Sequence, residues 1–293
     1  MATSQKTAEK SGERIAKVMA RAGLCSRRDA ERWIADGRVS VNGRVLETPA
    51  HTVTPDDVIK VDGQPLPAKE PTRLWLYHKP RGLVTSARDE KGRDTVFQKL
   101  PAELPRLVSV GRLDINTEGL LLLTNDGGLA RTLELPATGW TRRYKVRAFG
   151  RMPGDALEQL AKGMTVEGVR YGPVQATVDR GDSGGGPQNL WMTLALQEGK
   201  NREIKVLLNA LGLEVSRLIR LSYGPFQLGD LQSGTVKEVK SHVLREQLGK
   251  SLIEQSAAFF PKRNHASGTA EKPNGTPRQP RKKPKHAHRR RSP

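Results

Sequence analysis

Cysteine is almost absent. Among 293 residues only Cys25 is present, so no internal disulfide can form and a disulfide-stapled secreted protein is excluded. Long apolar runs are missing too. None is longer than the four leucines Leu120–Leu123, far short of the ~20 residues of a membrane-spanning helix. The opening stretch Met1-Ala-Thr-Ser-Gln-Lys-Thr-Ala-Glu-Lys has no apolar core of the kind a signal peptide needs. A reducing, cytoplasmic setting is expected, with no membrane partner. The six histidines (51, 78, 242, 265, 286 and 288) show no Cys/His ligand spacing, so no metal is expected, and no cofactor signature is present.

Negative charge is also scarce. Fifty Lys and Arg stand against 31 Asp and Glu, a net of +19. Residues 1–70 carry only +2 of it and residues 71–260 carry +7, whereas residues 261–293 hold +10. A chain this basic calls for a polyanionic partner, nucleic acid before an anionic surface. Its length is enough for roughly two domains of ~150 residues.

Residues 1–12 are polar and expected to be disordered. From Glu13 the apolar residues Ile15, Val18, Met19 and Ala22 recur at helical spacing, and Gly23 stops them. Ser26 and Asp29 form a capping-box pattern that opens a second helix over Arg27–Asp36, with Ala30, Trp33 and Ile34 on its buried side. Short strands follow, with Val39 and Val41 before the Asn42-Gly43 turn and Val58–Val61 before Asp62-Gly63. A compact module therefore spans 13–66. A proline-containing linker follows at 67–72.

An α+β region is expected over 73–258. Its strands are predicted at Leu74–His78, Arg106–Val110, Leu120–Thr124, Arg143–Phe149, Val174–Asp179, Leu190–Leu196 and Ser216–Leu221. Its helices are predicted at Asp94–Leu100, Leu129–Leu135, Asp155–Lys162, Arg202–Leu211 and Ser241–Leu252. Short turns mixed with helical crossovers suit a mixed, mainly antiparallel sheet with helices on one face. The Gly181–Gln188 run reads as a hairpin loop, having no P-loop or Rossmann spacing. Residues 259–293 hold Arg281-Lys-Lys-Pro-Lys285 and Arg289–Arg291 with almost no aliphatic side chain. They form a basic tail, expected to be disordered and to hold RNA phosphates without sequence preference.

Arg27, Arg28 and Arg32 lie on the second helix, with Arg38 just beyond it. These suit phosphate contacts to structured RNA, although Asp29, Glu31 and Asp36 would equally make an ordinary solvated face. The order of residues says more. Arg14-Ile-Ala-Lys-Val-Met-Ala-Arg-Ala-Gly-Leu-Cys-Ser-Arg-Arg-Asp-Ala-Glu-Arg-Trp-Ile with Gly37-Arg-Val-Ser-Val-Asn-Gly-Arg44 resembles the S4-like RNA-binding domain. In the larger region a strand leads into the Gly111–Asn116 turn, which places Asp114 beside a core element where a carboxylate is both held and accessible. The run Val110-Gly-Arg-Leu-Asp-Ile-Asn-Thr-Glu-Gly-Leu-Leu-Leu-Leu-Thr-Asn-Asp-Gly127 resembles the signature of the pseudouridine synthases, in particular the RsuA/RluB group that modifies ribosomal RNA. That group also places an S4-like domain first.

Three further segments are similar to that group: His78-Lys-Pro-Arg-Gly-Leu-Val-Thr-Ser86, Arg142-Arg-Tyr-Lys-Val146, and Glu198-Gly-Lys-Asn-Arg-Glu-Ile-Lys-Val-Leu-Leu208. The resemblance implies Asp114 as the catalytic carboxylate, Tyr144 as the active-site tyrosine that stacks on uracil, and Lys205 as the basic partner of Asp114. Many members carry Arg at that last position. It further implies that Arg112 fills the space a flipped base leaves, or holds phosphate. Whether Asp114 attacks sugar or base, or takes a ribose proton, stays open. The implied reaction is uridine-to-pseudouridine isomerisation, which needs no cofactor.

The implied partner is ribosomal RNA, 23S before 16S, as naked RNA or in a subunit precursor, met by a monomer. A non-catalytic rRNA-binding assembly factor is the reading from another class, since such a protein could keep the fold without the chemistry. An S4-like module on an unrelated enzyme finds no nucleotide-binding signature. Truncation after Phe260 is expected to weaken RNA affinity and flatten its salt dependence while turnover at saturating RNA persists, measured by binding titrations at several salt concentrations.

Overall fold

In a computed structural model of the chain, residues 12–180 and 188–261 are described. The expected N-terminal disorder, most of the Gly181–Gln188 loop and nearly all of the basic tail lie outside them.

The N-terminal module forms around helices α1 (Ile15–Arg21) and α2 (Arg27–Ala35). Ser26 caps α2 reciprocally: its hydroxyl accepts from the Asp29 amide at 3.0 Å, and the Asp29 carboxylate accepts from the Ser26 amide at 3.3 Å. Ile15, Met19, Ala30 and Ile34 point inward at helical spacing and meet Val39 and Val41 of β1 (Val39–Val41) and Val61 of β2 (Ile59–Val61). Trp33, expected to be buried, is only half-buried. Its ring instead carries the Arg38 guanidinium 4.7 Å above its centroid, an arrangement that keeps the cation in water and covers the indole face.

The second region is a nine-stranded sheet. It uses β3 (Leu74–Lys79), β4 (Thr117–Thr124), β5 (Arg142–Gly150), β6 (Gln175–Arg180), β7 (Gln188–Leu196), β8 (Leu213–Tyr223) and β9 (Val236–Glu238), in the spatial order β6-β7-β5-β8-β4-β3-β9. Short strands Val108–Val110 and Phe226–Gln227 add to β4 and β8. Every pairing is antiparallel except β4 with β8. The mixed, mainly antiparallel α+β architecture is therefore present.

Helices lie on both faces, not on one. Leu120 and Leu122 of β4 pack with α3 (Gly127–Glu134) and α6 (Ser241–Ser256). On the opposite face, Val146, Met192 and Leu218 pack with α4 (Ala156–Lys162) and α5 (Glu203–Ala210). Period-two alternation in the strands supplies apolar residues to both sides; which helix takes which side depends on pairing across the sheet. The helix expected at Asp94–Leu100 is only a 3₁₀ turn at Phe97–Lys99. Backbone groups of Asp94 and Val96 are engaged with Val84, which leaves too little chain for an α-helix before Pro101. Phe259, counted with the tail by composition, exchanges hydrogen bonds with Thr72 at 2.7 and 2.8 Å.

The strand expected at Leu120–Thr124 starts earlier, at Thr117, because Thr117–Gly119 pair in parallel with Leu218–Arg220. Gly119 has φ +101°, and a Cβ there would lie 2.4 Å from the Arg220 carbonyl oxygen. Gly119→Ala is expected to cost at least about 2 kcal/mol through combined backbone strain and overlap, read as a lowered urea midpoint with unchanged slope.

Candidate active site

Asp114 lies on the turn that leads into β4, and three neighbouring segments hold that turn. Thr85 Oγ1 donates to the Leu113 carbonyl at 2.9 Å and accepts from the Leu113 amide. The Gly82 amide donates to the Ile115 carbonyl at 2.8 Å. Lys79, fully buried, donates to the carbonyls of Pro80, Ile115 and Thr117 at 3.0, 3.3 and 2.9 Å. Burial brings the Lys79 ammonium down to about 8, while the charges of Asp114 and Glu118 work in the opposite sense. At the turn's start Glu134 accepts from the Gly111 amide at 2.8 Å. These bonds satisfy the backbone of a segment that has no ladder partner of its own.

Opposite the turn, the start of α5 delivers two cations, Arg202 from its N-cap and Lys205 from its first turn. Lys205 Nζ lies 3.3 Å from Asp114 Oδ2, and Arg202 Nε lies 3.9 Å from the same oxygen. Arg202 has φ +51°, a left-handed conformation outside the helix that starts at Glu203. The Asp114 and Lys205 side chains are each 30% exposed, so the pair is neither sealed nor fully solvated.

Asp114, Arg112 and Tyr144 line one open cleft of about 760 Å³. Arg112 is exposed there, and Tyr144, half-buried on β5, forms part of its wall. Lys205 reaches Asp114 from α5. The structure thus brings together all four residues that the motifs single out in this domain. The module's arginines are elsewhere: none of Arg27, Arg28, Arg32 and Arg38 lines the cleft. Arg27 and Arg28 are exposed, Arg32 pairs with Asp29, and Arg38 forks onto Asp62 at 2.9 and 2.6 Å.

Sequence reasoning missed several residues of this cleft. Arg142 is buried and donates to the carbonyls of Gln197, Glu198 and Glu134 and to the Tyr223 hydroxyl, tying β5 to the loop before α5. Arg220 is 2% exposed and donates from Nε to the Leu120 carbonyl at 2.7 Å. Glu203, 4% exposed, accepts from the Lys200 amide at 3.0 Å through one oxygen; its other oxygen is buried with no partner among the described residues. Burial raises its carboxyl to about 7, with Glu198 adding in the same direction and the Lys200 amide opposing. Glu203 and Arg202 were in plain view between Gly199 and Lys205. Nothing local marks them, because their role comes from what they face.

The molecule thus joins a small helix–strand module to a mixed sheet, with a carboxylate turn facing cations in an open cleft. Two family models match it: the S4 domain over residues 13–59 and RNA pseudouridylate synthase over residues 73–210, which together define an RNA-directed enzyme class. An RNA pseudouridine synthase of Rickettsia prowazekii (strain Madrid E) is 41% identical over 80% of this chain and 97% of its own length. Ribosomal large subunit pseudouridine synthase B of Pseudomonas aeruginosa is 40% identical over 81% of this chain and 63% of its own, and that of Yersinia pestis 43% over 74% and 69%. A crystal structure of a pseudouridylate synthase shares the fold, with a TM-score of 0.57 at 24% identity, covering 80% of this chain and 99% of that one. The chain belongs to the RNA pseudouridylate synthase family, with an S4 domain ahead of the catalytic domain, and is an isomerase.

Glu203 carries a pH signature. Its folded value near 7 stands above the ordinary 4.5, so between these pH values the folded chain holds more proton than the unfolded one and stability falls as pH rises. Wild type is expected to lose on the order of 1–3 kcal/mol from pH 4.5 to 7.5 relative to Glu203→Gln, measured by urea unfolding across that range.

Proposed function

We propose that this enzyme converts one uridine of 23S ribosomal RNA to pseudouridine, working as a cytoplasmic monomer, and that Asp114 carries the chemistry. The observation behind the site assignment is the Asp114 carboxylate 3.3 Å from Lys205 Nζ in a cleft shared with Tyr144 and Arg112. The ribosomal substrate rests on the large-subunit synthases of about 40% identity.

The reaction breaks the N1–C1′ bond, turns the uracil within the site, and joins C5 to C1′; N1 gains a proton and C5 loses one. A base inside folded RNA must first leave its stack, at a cost of about a few kcal/mol. Arg112, exposed on the cleft wall, enters the vacated space or takes a phosphate. Tyr144 stacks against the extruded uracil. Lys205, assisted by Arg202, holds the Asp114 carboxylate in one orientation toward the nucleotide. A carboxylate so oriented can act as nucleophile or base. Arg202 caps α5 and Lys205 lies in its first turn, so the placement of both cations and that of α5 are a single geometric event.

Asp114→Asn keeps the shape and removes the charge. In a strain lacking the gene, complementation with this variant is expected to leave rRNA without the pseudouridine that wild type restores, while RNA affinity of the purified variant stays within about threefold. Nucleoside analysis with chemical mapping of both rRNAs reads the outcome. An unchanged pseudouridine level would sink the assignment of Asp114, and a site on 16S rRNA would overturn the choice of subunit.

A further inference from the structure

The sheet is covered unevenly. α3 and α6 cover β3 and β4 on the face shared by Leu120 and Leu122, whereas farther along that face β5 and β7 stay open. Alternation along β5 shows this directly: Val146 and Ala148 are buried toward α4 and α5, while Arg143 and Arg147 are exposed and Phe149 is 47% exposed. Register sets Arg147 opposite both Trp191 on β7 and Arg217 on β8. Trp191 is half-buried with the Lys145 ammonium 5.9 Å from its ring centroid.

Only part of the charge on this face is neutralised internally. Arg217 forks onto Glu118 at 3.0 and 2.9 Å, and Lys145 pairs with Asp179 at 3.0 Å. Arg143 and Arg147 make no ion pair with a described residue. Arg147 stands opposite Arg217, whose charge Glu118 already meets, so Arg143 and Arg147 are the cations on this face left free to take an outside anion. Aromatic rings flanked by cations on an open antiparallel face suit single-stranded RNA, whose bases stack on the rings while its phosphates meet the guanidinium groups. Leu196 and Leu218, which line the catalytic cleft, belong to the other face.

We infer that this open face is a second RNA-binding surface, which holds a single-stranded stretch of the substrate away from the target nucleotide. Trp191 and Phe149 are its stacking platform, and Arg143 and Arg147 hold its phosphates. The inference rests on the substrate being RNA and not on which ribosomal RNA it is.

The test uses the full chain with two probes, a 20-nucleotide oligouridylate and a 23S rRNA transcript, in binding titrations at several salt concentrations and in turnover assays. Arg143→Glu/Arg147→Glu is expected to weaken binding of both about tenfold at ~0.1 M salt and to lower the salt slope by about 1.5, the value for two single-strand phosphate contacts. Trp191→Ser is expected to weaken binding about tenfold and Trp191→Phe less than about twofold, since the latter keeps a ring. Turnover at saturating RNA stays unchanged in all of them. A control reversal at α6, Lys240→Glu at its N-cap with Lys250→Glu within it, changes affinity less than about twofold. Wild-type binding by the double arginine variant overturns the inference, as does an equal loss in the control, which would make the effect one of net charge. The arginine pair is exposed, so this arm stands even if Trp191→Ser fails to fold. Binding is read without turnover, so a failure of the proposed reaction would show separately, as wild-type enzyme that makes no pseudouridine.

Discussion

The one parallel pairing in the sheet, Thr117–Gly119 against Leu218–Arg220, gathers everything the cleft needs. It runs through a single cross-strand row: Lys79 opposite Gly119, Gly119 beside Arg220, Arg220 opposite Tyr144. Gly119 sits at the centre because a side chain there would overlap the Arg220 backbone. From that row the chain reaches Asp114 within five residues on one side and Tyr144 directly on the other. The same junction sends Lys79 beneath the Asp114 turn and brings Arg220 Nε to the Leu120 carbonyl. Loosening it would move the carboxylate, the tyrosine and their supports together.

Electrostatics at the cleft follow the same economy. Asp114 meets Lys205 and Arg202 on one oxygen, while Arg142, buried close by, donates mainly to backbone carbonyls. A buried cation bonded to carbonyls keeps its hydrogen bonds without competing for the reactive carboxylate. Glu203 beneath the loop is the counterweight, a carboxyl that burial holds near neutrality in the physiological range. The helix start that carries Arg202 and Lys205 is therefore framed by one fixed cation and one titrating acid.

Much was legible without the fold. The spacing of Ile15, Met19, Ala30 and Ile34 foretold two helices packed on one core, and the Ser26–Asp29 pattern foretold the cap that is present. Asp114 and Lys205 were marked because each lies in a run that resembles a known family's motif. Arg142 and Arg220 were not: an arginine in a strand reads as a solvated residue until its neighbours on other strands are known. The short 3₁₀ turn at Phe97–Lys99 failed as a helix because Val84, a dozen residues earlier, had already taken the backbone groups. Local periodicity carries no record of such long-range claims on the main chain.

The sequence by itself determined the basic character that calls for a polyanionic partner and the division into a small helix–strand module and an α+β domain, and its resemblance to a known family marked Asp114 and Lys205. Composition and short runs carry that much, because residue type and spacing are local. Only the tertiary structure decided that helices cover both faces, that Arg142, Glu203 and Arg220 belong to the cleft, and that β5 and β7 leave an open basic and aromatic face. The reason is the period of two in a strand. Alternation states that a residue points to one side or the other, but which side is the cleft, which is covered and which is bare depends on how distant strands pair.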